Sequence, residues 1–217
     1  MIIVNFKNYQ ETFGDGALKL AEICQKVAKK SGVKIIPAVS PLDAVKIKEK
    51  LGMEVILQSV DPIFEGAGSG FVSPIKAKEL GIDGTILNHS EHRIRPGTLK
   101  KMLKIWPKKF KVVVCIGSFG QTETWAKNIK PDFIAYEPKS LIGSKDKSVA
   151  TEKSEVIKKI VKFYKGVPIL VGAGIHSIED VKVSLKMGAK GVLISSFIVK
   201  SKDPEKELTK LAEVFSV

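Results

Sequence analysis

The chain has 217 residues, 44% of them hydrophobic and 27% charged, enough for one packed core and too apolar for intrinsic disorder. No run approaches the ~18 apolar residues of a membrane span, the strand-like Met1-Ile2-Ile3-Val4 start lacks the features of a signal peptide, and the two cysteines, Cys24 and Cys115, are too few for a disulfide scaffold, so a reducing cytoplasm is expected. The formal charge of +13 is almost all lysine, since Arg93 and Arg95 are the only arginines.

In chain order, short β-rich apolar runs alternate with stretches of helical spacing. Strand Ile2–Phe6 precedes a helix over Ala17–Lys30, where Leu18, Ile23 and Val27 share a face. Strand Lys34–Val39 leads to helix Pro41–Leu51, strand Glu54–Gln58 to helix Pro74–Leu80, and strand Gly84–Leu87 to helix Thr98–Trp106. Strand Val112–Ile116 is followed by helix Thr122–Asn128, and strand Phe133–Tyr136 by helix Ala150–Tyr164, with Ile157, Ile160, Val161 and Tyr164 on one face. Strand Pro168–Val171 leads to helix Ile178–Met187, and strand Gly191–Ile194 to helix Glu205–Phe215. Pro41, Pro74 and Pro204 stand near helix starts, and Ser177-Ile178-Glu179-Asp180 reads as a cap.

Excess lysine is also what a nucleic-acid or membrane-surface binder carries. Here the lysines recur on helical stretches, such as Lys46, Lys48, Lys50 and Lys158, Lys159, Lys162, where solvated faces hold them. No segment interleaves basic and aromatic side chains as a single-strand binding groove does, so neither nucleic acid nor membrane is expected as a partner. A small anionic substrate would still gain from the positive field.

Eight alternating strand–helix units with continuously apolar strands fit a parallel sheet buried on both faces, closed into a single (β/α)8 barrel over residues 1–217. An open doubly wound sheet would call for a glycine-rich turn after the first strand, and the chain has Asn5-Phe6-Lys7-Asn8 there. Two irregular stretches, Asp61–Ser73 and Glu137–Val149, are long enough to read as functional or interfacial loops.

In such a barrel chemistry gathers at the carboxyl ends of the strands. The first strand delivers Asn5 and Lys7, the fourth His89 and Glu91, the sixth Glu137-Pro138, the seventh Gly172-Ala173-Gly174 and the eighth Ser195-Ser196. Small residues after the last two strands suit a phosphate held by backbone N–H groups, or simply tight turns. A glutamate at an apolar rim has a raised pKa and makes a better proton acceptor, although a rim glutamate paired with a lysine is the plainer alternative. His89 is read at the start of a short helix, which would favour a neutral imidazole. His92 is read as a surface residue and His176 as a turn residue beside Ser177.

These stretches, taken together, resemble the triosephosphate isomerase family. Val4-Asn5-Phe6-Lys7 is similar to the family's Asn-x-Lys motif, and Ala135-Tyr136-Glu137-Pro138 to its catalytic-glutamate motif. Asn88-His89-Ser90-Glu91-His92-Arg93 is similar to its Gly-His-Ser-Glu-Arg-Arg motif, with Asn88 and His92 as departures. Ile142-Gly143-Ser144 resembles the lid tip, Val113–Gly117 the fifth strand and Gly66–Gly70 the third loop. The short chain resembles the archaeal branch. Ser140, Lys145-Asp146, Gly174 and Ser195-Ser196 depart from common family residues.

The resemblance implies interconversion of dihydroxyacetone phosphate and D-glyceraldehyde 3-phosphate, with neither metal nor cofactor. It implies Glu137 as base, His89 as electrophile, Lys7 as fixed cation and Asn5 as a positioning residue, with Glu91 orienting Lys7 or an arginine. Asn5, Lys7, Ile142, Gly143, Gly172, Gly174, Ser195 and Ser196 would bind the small phosphorylated triose, under a lid running from Pro138 to about Ser148. A homodimer or homotetramer through the 66–70 loop is implied as well. The rivals are another phosphate-binding barrel, such as a phosphoribosyl isomerase or a Schiff-base aldolase, and a lysine-rich nucleic-acid module.

Overall fold

The computed structural model describes residues 1–121, 131–141 and 154–215. Eight strands run β1 (Ile2–Asn5), β2 (Ile35–Val39), β3 (Ile56–Leu57), β4 (Gly84–Leu87), β5 (Lys111–Ile116), β6 (Phe133–Tyr136), β7 (Ile169–Val171) and β8 (Gly191–Ile194). Each pairs in parallel with the next, and β8 pairs with β1, so the sheet closes as a barrel without an edge.

The continuously apolar strands conceal a period of two. Ile3, Ile36, Ala38, Ile56, Ile86, Val113, Cys115, Ala135, Leu170 and Leu193 form one buried cluster, the barrel interior. Their neighbours, including Ile2, Val4, Leu57, Leu87, Val114, Ile134, Val171 and Ile194, pack in a second cluster with helix residues such as Leu20, Ile47, Leu99, Ile157 and Leu208. Both faces of each strand are therefore dry, as a parallel sheet under helices requires.

The helices begin where local chemistry permits. Helix Pro41–Leu51 opens with Pro41, and the Ser40 side chain accepts the Leu42 N–H at 3.3 Å. Helix Ile178–Lys186 carries a full capping box between Ser177 and Asp180, as expected. Helix Pro96–Lys104 starts two residues before the expected Thr98 and ends before Trp106, because Pro96 supplies the first turn and Trp106 Nε1 instead donates to the Phe110 carbonyl at 2.6 Å. Helix Asp15–Ser31 is longer than expected at both ends, and Ser154–Phe163 falls within the expected sixth helix. The expected helix Thr122–Asn128 and residues 150–153 of the sixth lie outside the described residues.

Three short elements among the described residues have no counterpart in the sequence pattern, one of them the 3-10 turn Lys139–Leu141 after β6. A 3-10 turn occupies Gln10–Thr12, and a one-turn helix, Ser196–Val199, intervenes between β8 and the final helix, Pro204–Glu213. The third strand is only two residues long, because the Val55 N–H turns to the Asp83 carboxylate at 2.9 Å. The lysines named above are mostly exposed, but Lys48 is partly buried, donating to Asp83 at 2.7 Å and the Met53 carbonyl at 3.1 Å.

Candidate active site

The alternation that fills the barrel interior continues past the strand ends. Two residues beyond Ile3 comes Asn5, beyond Ala135 comes Glu137, beyond Leu170 comes Gly172 and beyond Leu193 comes Ser195. All four line one cavity of about 450 Å³ at the carboxyl ends of the strands, together with Lys7 and His89.

His89 needs a further device, since alternation alone would send it outward with Leu87. Asn88, at φ 59, breaks the register, and asparagine tolerates that left-handed conformation better than most residues. The Asn88 amide Nδ2 donates to the Cys115 carbonyl at 2.8 Å, and its Oδ1 accepts the Ile94 N–H at 3.1 Å. Arg93 Nη1 donates to the Asn88 carbonyl at 3.0 Å. The departure from glycine at this position therefore brings two hydrogen bonds with it.

Glu137 is 3% exposed. Its N–H donates to the Ile116 carbonyl at 2.8 Å, which fixes its backbone to β5. Burial pushes the carboxyl up to about 7, against the opposing influence of a hydrogen bond from Cys115 and the charges of Lys7 and Arg93. Its Oε2 has no hydrogen-bond partner and faces His89 Nε2 at 3.6 Å. A Cβ on Gly172 would come within 2.6 Å of Glu137 Cγ, so glycine there makes the room the carboxylate occupies.

His89 is also buried. No helix starts there; the next one begins at Pro96, and residues 89–92 form a turn closed by the His92 N–H on the His89 carbonyl at 3.0 Å. The neutral imidazole has a different source from the expected helix terminus. Burial lowers its pKa to about 4; Glu91 opposes this, while Lys7 and Arg93 reinforce it. Nδ1 accepts the Glu91 N–H at 3.2 Å, which leaves the single ring proton on Nε2, facing the cavity.

Lys7 sits at φ 50, with its N–H donating to Asn5 Oδ1 at 3.1 Å and its carbonyl accepting from Gln58 Nε2 at 2.9 Å. Its Nζ pairs with Glu91 Oε1 at 2.6 Å; the side chains are 17% and 56% exposed. Glu91 thus holds Lys7, the first of the two options read from the sequence, although it lies in the turn and not inside a helix.

Gly172, Gly174, Ser195 and Ser196 share the cavity wall with the acid–base residues. Ile142 and Gly143, with the rest of the expected lid from 142 to 148, lie outside the described residues; before them Lys139–Leu141 form a 3-10 turn with Leu141 buried. His92 is exposed, as expected. His176 was missed as a site residue: it lines the cavity, and its Nε2 is buried. Its position two residues after Gly174, on the loop following β7, was the one signal available. Among the described residues no three His, Cys, Asp or Glu side chains gather as metal ligands would.

A buried carboxyl titrating near neutrality, a neutral imidazole and a fixed ammonium around one cavity define a (β/α)8 enzyme that moves protons. The chain belongs to the triosephosphate isomerase family, whose model matches residues 1–214. It is similar to the triosephosphate isomerase of Methanothermus fervidus, 38% identical over 97% of this chain and 96% of that one. It is 39% identical to that of Thermoplasma volcanium, over 97% and 98%, and 35% identical to that of Saccharolobus solfataricus, over 95% and 92%.

Proposed function

We infer that this chain interconverts dihydroxyacetone phosphate and D-glyceraldehyde 3-phosphate through an enediolate, in glycolysis and gluconeogenesis. The observation that carries the reading is Glu137 Oε2, buried and unpartnered, 3.6 Å from the proton-bearing His89 Nε2. Glu137 takes the proton from the carbon beside the carbonyl. The Nε2–H of His89 polarises the carbonyl oxygen and shuttles protons between the enediolate oxygens; Glu137 then returns its proton to the neighbouring carbon. Lys7 stabilises the developing oxyanion, and Asn5 holds the Lys7 backbone in place. Protons are moved with no net change of redox state, so the reaction calls for neither metal nor cofactor. Glycines Gly172 and Gly174 with Ser195 and Ser196 receive the phosphate.

A coupled spectrophotometric assay with purified protein tests the activity, and no interconversion of the triose phosphates would overturn it. Gly172→Ala is expected to lower kcat by about 100-fold, since the added methyl occupies the space of the carboxylate and a shift of ~1 Å at the reacting group costs that much. Steady-state kinetics read this directly; near-normal kcat would mean that the carboxylate does not work from this position.

The whole of residues 1–217 acts as one domain in the cytoplasm, assembled as a homodimer or homotetramer through the 66–70 loop. Asp61 and Val72 close the base of that loop, each N–H donating to the other residue, at 2.9 Å to the Val72 carbonyl and 2.8 Å to Asp61 Oδ2. Phe13 and Phe71 are 61% and 60% exposed, apolar surface of the kind a partner covers. A further cavity of about 350 Å³, lined by Asn5, Gln58, Asp61, His89 and His92, supports this reading as room for a partner's loop beside the catalytic residues. Light scattering of the purified protein measures the assembly, and a fully active monomer would refute the loop's role.

A further inference from the structure

Among the described residues, four buried side-chain polar atoms have no hydrogen-bond partner: Ser90 Oγ, Glu137 Oε2, His176 Nε2 and Ser195 Oγ. Buried polar atoms are rarely left so, because the lost hydration is not replaced. Three of the four belong to residues lining a single cavity. Glu137 Oε2 has its task in proton transfer. The other two stand on the loops after β7 and β8, the loops expected to receive phosphate.

His176 does not build the turn in which it sits. That turn is made by backbone and by Asp180, whose Oδ2 accepts the N–H of both His176 and Ser177 at 3.0 Å and the Ser177 hydroxyl at 2.9 Å. The helix cap is completed by Ser177 Oγ, which accepts the Asp180 N–H at 3.2 Å. The imidazole is left over from this scheme, carried on an anchored backbone, with Nε2 buried at the cavity wall.

A cation lines the same cavity. Lys200 ends the one-turn helix that starts at Ser196, its N–H donating to the Ser196 carbonyl at 3.1 Å. Lys200 shares the cavity wall with Ser195 and Ser196. Its Nζ lies 4.2 Å from the ring centroid of Tyr9, another lining residue, in cation–π contact. That contact holds an ammonium at the cavity without neutralising it.

We propose that His176 is a side-chain ligand for the phosphate group of the substrate, donating from Nε2 to a phosphate oxygen, with the Tyr9-braced Lys200 supplying positive charge beside it. The substrate assignment rests on the isomerase reading above; the anion chemistry of the cavity does not. The small residues after β7 and β8 suit backbone N–H contacts to the phosphate, and an imidazole and an ammonium line the same cavity.

The test uses the intact chain and inorganic phosphate, measured both by calorimetric titration and as a competitive inhibitor of triose phosphate turnover. His176→Ala should weaken phosphate binding about tenfold, the worth of one hydrogen bond to a charged group, with most of the loss in kcat/KM falling on KM. His176→Gln, which keeps a donor on a side chain of similar reach, should recover most of that loss. Lys200→Met should weaken binding several-fold and flatten its dependence on salt. Phosphate binding equal to wild type in His176→Ala and His176→Gln, each folded by circular dichroism, would overturn the proposal. The isomerase reading fails separately, by absence of interconversion in the unaltered chain, and would survive if His176 proved indifferent to phosphate.

Discussion

Replacing Glu137 by glutamine is expected to give a folded protein whose kcat is lower by about 10²- to 10⁴-fold, the share of rate that a positioned general base supplies. The amide matches the carboxylate in shape, so the space opened by Gly172 stays filled, and only the capacity to accept a proton is lost. Glu137→Asp keeps the charge but withdraws it by one methylene, and should lower kcat far more than it changes KM. Steady-state kinetics on both variants check this; near-normal turnover in either would remove Glu137 from the reaction.

The same substitution should change how stability depends on pH. In the folded chain the Glu137 carboxyl is held up at about 7, from an ordinary value of 4.5, by burial. Below pH 4.5 both folded and unfolded forms are protonated there, and the two proteins respond alike. Between 4.5 and 7 the unfolded chain releases this proton while the folded chain retains it, so wild-type stability falls as pH rises, and the full penalty is present above 7. Glu137→Gln escapes it, and should gain on wild type by ~3 kcal/mol between pH 4 and pH 8. His89, lowered to about 4 by burial, acts in the opposite direction: its contribution is present above 6.5 and is lost as pH falls toward 4. Both proteins share that limb, so it largely cancels in their difference. Chemical denaturation at the two pH values measures it, and a constant difference would contradict the buried acid. In kcat/KM the same carboxyl should set an acid limb near pH 7, below which the base is protonated.

The barrel was legible because its strands are short, apolar and alternate with helical stretches, and because closing eight parallel units needs no partner edge. The strand-end rule then located Asn5, Glu137, Gly172 and Ser195, which follow the interior alternation of Ile3, Ala135, Leu170 and Leu193. His89 was found by the resemblance to a family and by its place after β4, but the reason it turns inward was not visible. That reason is the positive φ of Asn88, which goes with bonds to Ile94, six residues on, and to Cys115 on the neighbouring strand β5. The helix expected at His89 failed for a related cause: Arg93 and Asn88 are engaged in tying the turn, and Pro96 sets the true start. His176 escaped notice because a histidine next to a cap reads as turn material. Only the structure shows that Asp180 satisfies the turn and leaves the imidazole buried at the cavity wall.

Lys7→Gly should separate function from stability at the second key position. Lys7 is one of three non-glycine residues at positive φ among those described, with Asn88 and Lys109. For a residue with a Cβ the left-handed conformation costs roughly 1–2 kcal/mol, which glycine would relieve, while glycine itself loses more chain entropy on folding, by about 0.5–1 kcal/mol. The Lys7–Glu91 pair adds little to either side, because Glu91 is more than half exposed and water screens it. Net stability should therefore stay within about 1 kcal/mol of wild type. Activity should not: an ammonium fixed at the cavity, where charge builds on the carbonyl oxygen, accounts for about 10²–10³ in rate, and kcat/KM should fall by that factor. Lys7→Met keeps the Cβ and the strain but loses the charge, so it should match Lys7→Gly in activity and fall below it in stability. Equal activity in all three proteins would exclude Lys7 from catalysis. A large loss of stability in Lys7→Gly would show that the loop is held open by the side chain, and not by the Asn5 and Gln58 bonds to the Lys7 backbone.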